Sequence, residues 1–255
     1  MADGARLLHV DPDAGWDLKA EFTRIHKDGQ RPMGMAFGSP GGNFREILEP
    51  INQTIYDVRL SASLAREKYQ LQFAYNLSLF KNDFDSVISD NPCFGLAACG
   101  SSATGPARGR TALAPDNVAQ TVTLSGGVSL PLRTRVNGSL SYSWRLQDQN
   151  FIPHTINPAF TGNPDLALPQ SDLKGDVRIL LFNVSATSRP LPPLTLTGRY
   201  RLYDFDDRSD EIVFPARVLN DITLENEPRL ANRFPYTKHN ASLDGRWRFS
   251  SQLAS

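Results

Sequence analysis

The segment REKYQLQFAYNLSLFKND, residues 66–83, decides how the rest of the chain is read. Tyr69, Leu71, Phe73, Tyr75, Leu77 and Leu79 occupy every second position, with Gln70, Gln72, Ala74, Asn76 and Ser78 between them. Successive side chains of an extended strand point to opposite faces, so this pattern predicts a strand with one greasy face and one wet face. It is also long. Strands in soluble sheets average about five to six residues, whereas a tilted strand needs roughly 9–11 to cross the hydrocarbon of a bilayer.

The same alternation recurs along the chain. It appears in WDLKAEFTRIH (16–26), TIYDVRLSASLA (54–65), VAQTVTLSGGVSL (118–130), TRVNGSLSYSWRLQ (134–147), VRILLFNVSATS (177–188), LTLTGRYRLYDF (194–205) and HNASLDGRWRF (239–249). With the opening segment this makes about eight strands in sequence order. Tight turns follow Ala65, Leu130 and Ser188, and long connections over 27–52, 81–116, 148–175 and 206–236 fall at the opposite end of the meander. Outer-membrane barrels have that asymmetry, with short turns on the periplasmic side and long loops outside. The expected fold is therefore all-β: an antiparallel up-and-down transmembrane β-barrel, seen as an arc of a larger barrel and spanning residues 1–255 as one domain.

Composition narrows the function. The 255 residues carry a net charge of +0, so no basic excess draws the chain to nucleic acid. No apolar run approaches the ~18 residues of a membrane helix; the longest are as short as Ile179-Leu180-Leu181-Phe182. The N-terminus lacks a basic region followed by an apolar one, so an exported protein implies that the chain is a fragment or begins at an internal Met. His9, His26, His154 and His239 are scattered, neither H-E-x-x-H nor G-x-S-x-G occurs, and the Gly-rich GSPGGN (38–43) is not followed by G-K-[ST]. No catalytic or metal site is expected. The two cysteines, Cys93 and Cys99, fit either a short-loop disulfide or two free thiols, and C-x-x-C-H haem attachment is absent.

The polar faces exclude a closed apolar core. Arg59, Arg135, Arg145, Arg199, Arg201, Arg246 and Arg248 would each need water or a partner, because an unpaired buried charge is prohibitively costly. A small barrel is filled by its own side chains, so this density of Arg, Gln and Asn implies a wider one. The expected lumen-facing partner contacts are Arg59, Gln70, Gln72, Asn76, Arg135, Asn137, Arg145, Arg199, Arg201, Arg246 and Arg248. Tyr69, Tyr75, Tyr142, Trp144, Tyr200 and Trp247 are expected at the lipid–water boundary, where amphipathic rings belong.

Several segments in order along the chain carry a resemblance. They are RPMGMAFGSPGGN (31–43), YQLQFAYNLSLFKND (69–83), ALAPDN (112–117), SLPLRTRVNGSLSYSWRLQD (129–148), FIPHTINP (151–158), LPQSDLKGDV (168–177), TSRPLPPLTLTGRYRLYDFDDR (187–208) and FPYTKHNASLDGRW (234–247). Together they resemble the MtrB/PioB family of decahaem-cytochrome-associated outer-membrane β-barrels. The resemblance implies a bacterial outer-membrane protein that sheathes a periplasmic decahaem c-type cytochrome and supports extracellular electron transfer. It binds no cofactor itself, the haem being carried by the partner, and its loops could meet an extracellular multihaem cytochrome. The alternatives from other classes are a general diffusion porin and a soluble β-rich binding domain.

Overall fold

Alternation alone makes a strand, and strand length decides where it can sit. In the computed structural model of the protein, which describes residues 2–7, 15–37, 43–98, 103, 105–219 and 221–249, the strands are β1 (Ala2–Leu7), β2 (Trp16–Phe37), β3 (Asn43–Ala65), β4 (Tyr69–Asn82), β5 (Ser86–Asp90), β6 (Arg108–Ala112), β7 (Asn117–Leu130) and β8 (Thr134–Gln147). They continue as β9 (Gly175–Leu191), β10 (Leu194–Asp207), β11 (Ile212–Phe214), β12 (Arg217–Leu219), β13 (Thr223–Glu225), β14 (Arg229–Ala231) and β15 (Tyr236–Trp247). The main sheet has nine strands in the order β1-β2-β3-β4-β7-β8-β9-β10-β15, every neighbour antiparallel. Its order follows the chain except where small hairpins are skipped, as an up-and-down meander requires. The sheet is open, with β1 and β15 at its edges.

The fold departs from the expectation in several places: β9 runs past Ser188 to Leu191, so the turn expected after Ser188 falls at Pro192–Pro193, and the connections 81–116 and 206–236 hold the short pairs β5–β6, β11–β14 and β12–β13. One more strand, β1, pairs with β2 ahead of the first expected one. The connection expected over 27–52 is mostly strand: β2 has 22 residues and β3 has 23, paired from Trp16↔Leu64 to Phe37↔Asn43. Beyond Gln53↔Asn82 the ribbon has lost its β4 neighbour and rises as a two-stranded mast. Ten residues at roughly 3.4 Å each carry it about 34 Å further. Gly29, Pro32, Gly34 and Pro50 disguised it as a loop. In an isolated ribbon the outer N–H of each strand has no partner, so proline there costs no ladder bond. Pro32↔Leu48 and Gln30↔Pro50 are two pairs apart, so both prolines fall in the same class of pair.

The mast does not stand alone. Met35 and Val87 are buried against each other with Met33, Ile47 and Leu113 around them, so the β5–β6 hairpin packs on the mast face that carries Met33, Met35 and Ile47. Arg31 clamps the buried Glu49 through two hydrogen bonds, Nε to Oε2 at 2.7 Å and Nη2 to Oε1 at 2.9 Å. This bidentate contact holds the Arg31 guanidinium pKa above its ordinary value.

The other long connections are also tied down. The Asp221 carboxylate accepts from the Arg110 amide at 3.2 Å and from the Thr155 hydroxyl at 2.5 Å, and its carbonyl accepts from Asn157 Nδ2 at 2.5 Å. Asp221 thus joins the loops that follow β4, β8 and β10 into one layer at the loop end. Asn82 donates from Nδ2 to the Ala114 carbonyl at 2.9 Å, and Lys81 pairs with Asp116 at 2.7 Å, closing the base of the first of them. Cys93 is buried and disulfide-bonded; Cys99 lies outside the described residues.

Candidate functional site

Residues directly opposite in an antiparallel ladder share a face, so the register assigns every side chain of the main sheet to one side. One rung runs Asp17–Ser63–Gln72–Ser125–Ser139–Asn183–Arg201–Asn240. The next toward the tight turns runs Ala65–Gln70–Gly127–Asn137–Ser185–Arg199–Ser242. Toward the loops lies Glu21–Arg59–Asn76–Thr121–Ser143–Ile179–Phe205–Tyr236. The adjacent rungs of the other face are Leu18–Ala62–Phe73–Leu124–Leu140–Phe182–Leu202–His239 and Ala20–Leu60–Tyr75–Val122–Tyr142–Leu180–Asp204–Thr237, apolar as far as β9 and polar where they reach β10 and β15 near the sheet edge.

The sheet curls around its polar side. Backbone and side chains from β3, β4, β7, β8, β9, β10 and β15 line one concavity of about 840 Å³, into which Gln70, Gln72, Asn137, Arg199 and Arg201 converge. Arg59, Asn76, Arg135, Arg145 and Arg246 lie on the same face outside that concavity, and Arg248 follows the end of β15, its amide donating to the Pro193 carbonyl. Hydroxyls satisfy one another across the strands: Thr121 with Ser143 at 2.7 Å, Thr123 with Ser141 at 3.1 Å, and Asn183 donating to Ser139 at 3.2 Å. Gly127 is required here. A Cβ at that position would stand 2.5 Å from Asn137 Oδ1 and 3.0 Å from an Arg135 guanidinium nitrogen, displacing both from the wall.

The charged groups are less satisfied than the hydroxyls. Arg135 donates to Ser129 at 3.0 Å and Arg199 reaches Asp244 at 3.4 Å. Among the described residues, Arg59, Arg145, Arg201 and Arg246 have no carboxylate partner. They need water or another molecule against this wall.

The outer face is opposite in chemistry. Leu60, Leu71, Phe73, Leu124 and Leu140 are each more than 40% exposed, a continuous apolar surface far too large for a protein in water. Its edges are marked. Near the loops, Tyr75 donates to Gln120 at 3.0 Å and Arg178 pairs with Asp176 at 2.9 Å; near the turns, Thr134 and Ser188 bond at 2.7 Å. From Val136 to Leu146 the strand climbs roughly 34 Å, or about 24 Å vertically at a tilt near 45°, which is the height of the apolar band of an outer-membrane barrel. Tyr75, Tyr142 and Trp144 stand near its upper edge, the last two in edge-to-face contact at 4.6 Å; Tyr69 and Trp247 stand near its lower edge. Tyr200 sits halfway along β10 on this face, and its hydroxyl meets His239 Nδ1 at 2.8 Å.

One feature of the wall escaped the sequence reading. Val177, Ile179 and Leu181 on β9, with Tyr203, Phe205 and Tyr236 beside them, turn inward near the loop end. Tyr236 stacks on Tyr203 at 5.6 Å and on Phe205 at 5.4 Å. The signal was the unbroken run Ile179-Leu180-Leu181-Phe182, because consecutive apolar residues on a strand mean that both faces are covered. A smaller cavity of about 400 Å³ lies in the loop layer between Phe151, Leu168, Leu173, Phe214 and His154. Burial there lowers the pKa of His154, whose Nε2 has no hydrogen-bond partner.

A transmembrane-length sheet with a lipid-like outside and a wet, curved inside belongs to an outer-membrane barrel, and comparison with known proteins names which kind. The family model "outer membrane beta-barrel porin, MtrB/PioB" matches residues 7–255. The chain belongs to the MtrB/PioB family. It is a bacterial outer-membrane β-barrel protein of that family. It is 25% identical over 201 residues to Outer membrane protein MtrB of Shewanella baltica (strain OS185), covering 76% of this chain. The chain spans 25% of that relative's length.

Proposed function

We propose that this MtrB/PioB arc is part of a barrel that sheathes a periplasmic multihaem c-type cytochrome and insulates it from lipid, so that electrons cross the outer membrane along the partner's haems. The supporting observation is the inner wall: a curved face of amides, hydroxyls and arginines, several of the arginines without a carboxylate of their own. Such a wall can hydrogen-bond and ion-pair to an inserted protein surface along the whole height of the membrane. The barrel contributes positioning and exclusion of lipid, and the redox groups belong to the partner. The loop layer and the mast would then surround the exit, where an extracellular multihaem cytochrome could dock.

The second reading is a general diffusion porin, favoured by the same wet concavity, which would conduct solutes if nothing filled it. The two separate cleanly in the full-length barrel. A sheath copurifies with a haem-staining protein at fixed stoichiometry and conducts poorly in liposomes while that protein is bound. Large solute conductance from a barrel that never retains a haem protein would sink the sheath reading.

A further inference from the structure

The charges on the inner wall are sorted by strand. On β2 and β3 the charged inward positions are Asp17, Lys19, Glu21, Lys27, Asp57 and Arg59, a mixed sector in which Lys19 and Glu21 pair at 2.6 Å. On β4 and β7 the inward positions from Gln70 to Ser78 and from Ala119 to Ser129 carry no charge. On β8, β10 and β15 they include Arg135, Arg145, Arg199, Arg201, Lys238 and Arg246, against which stand only Asp207 and Asp244. Strands lie about 4.8 Å apart, so β3 and β10 are roughly 24 Å apart along the curl. That is well beyond the screening length of about 8 Å at physiological salt, and an occupant meets two separate fields.

The basic sector also has the stacked rings. Arg201 precedes Tyr203 by two residues on the same face of β10, and the ladder carries Arg145 through Val177 to Asp207, just beyond Phe205, which places both arginines around the Tyr203–Tyr236–Phe205 shelf. Cations without carboxylate partners beside a half-apolar, aromatic surface form the arrangement found where protein interfaces concentrate their binding energy.

We infer that the β8–β9–β10–β15 wall is the gripping sector of the barrel, and that it takes a surface of the inserted protein rich in Asp and Glu side chains, held in one rotational setting. This rests on the sheath reading. Charge complementarity identifies the occupant's chemistry: Arg145, Arg201 and Arg246 await carboxylates, whereas the β2–β3 sector already neutralises itself. A face with the opposite charge pattern is rejected by like-charge contact, so the field selects orientation as well as identity.

The test uses the full-length barrel expressed with its haem protein. Arg145→Glu with Arg201→Glu is compared with Thr23→Glu with Ser61→Glu, which adds the same kind of charge to the β2–β3 sector outside the concavity. Folding is checked by heat-modifiable gel mobility. The arginine reversal is expected to retain about tenfold less haem protein at low salt, and the Thr23/Ser61 pair to stay within about twofold of wild type. Where the reversal does not fold, Arg145→Gln with Arg201→Gln replaces it, with a smaller loss in the same direction. In the unsubstituted wall, a photo-cross-linking residue at Leu181 is expected to capture an acidic segment of the partner, and one at Ser61 a different segment. Equal losses from both sectors, no loss from the arginines, or capture of one common segment from both positions overturns the inference while leaving the sheath intact. A wild-type barrel that retains no haem protein overturns the sheath reading itself.

Discussion

Leu140 and Ser141 are neighbours on β8 that the register sends to opposite sides of the sheet. Leu140 lies in the middle outer rung with Phe73, Leu124 and Phe182, 44% exposed and far from either polar edge of the band. An arginine there would have to enter hydrocarbon near the midplane, at a cost of about 2–4 kcal/mol. Every 1.4 kcal/mol is tenfold, so Leu140→Arg should shift the folding equilibrium roughly 30- to 700-fold toward the unfolded chain. Ser141→Arg points into water. It forfeits the 3.1 Å bond to Thr123, about 1 kcal/mol at most, and the guanidinium stays solvated. The assay is denaturant titration of the full-length barrel in lipid vesicles, scored by heat-modifiable mobility, with folded barrel in the outer membrane of cells as a second reading. A neutral Leu140→Arg, or a Ser141→Arg as damaging as its neighbour, would refute the assignment of the two faces.

Further outcomes follow from the loop layer. Asp221→Ala removes the acceptor for the Thr155 hydroxyl and the Arg110 amide, so amides around Thr155 should exchange at least about tenfold faster, the loss of roughly 1.5–3 kcal/mol of local stability, with the barrel still folded. His154 is a base whose pKa burial lowers below 6.5, so the unfolded loop binds more protons than the folded one in that range. Its contribution is therefore present above about pH 6.5 and is lost as pH falls toward the lowered folded value. Protease nicking of residues 148–175 should increase on acidification from pH 7.5 to 5.5, and His154→Phe should flatten that dependence.

Much of this was legible in the sequence because a strand exposed to two solvents must alternate with period two. YQLQFAYNLSLF states both environments at once: Phe73 can only face lipid if Gln72 faces water, and the ladder then propagates the choice to Leu124 and Ser125, and on to Leu140 and Ser139. The tight turns after Ala65 and Leu130 and the connections over 81–116, 148–175 and 206–236 were equally readable, whereas the third turn falls at Pro192–Pro193 because β9 runs on to Leu191. The mast was not, because Gly and Pro carry the same signal in a loop and in an isolated ribbon whose outer N–H groups need no partner.

The sequence by itself determined the two faces and the meander, since both follow from local periodicity. Only the tertiary structure decided which polar residues act together. Gln70, Asn137 and Arg199 are far apart in the chain and become neighbours because the strands between them pair in register and curl. It also decided that Ile179 and Leu181 turn inward beside Tyr203, a choice that a run of four apolar residues leaves open until the neighbouring strands fix the register. Charge sorting between β2–β3 and β8–β15 is likewise a property of strand order. Residues spread along the chain become two fields only once the sheet sets them at least three strand spacings apart.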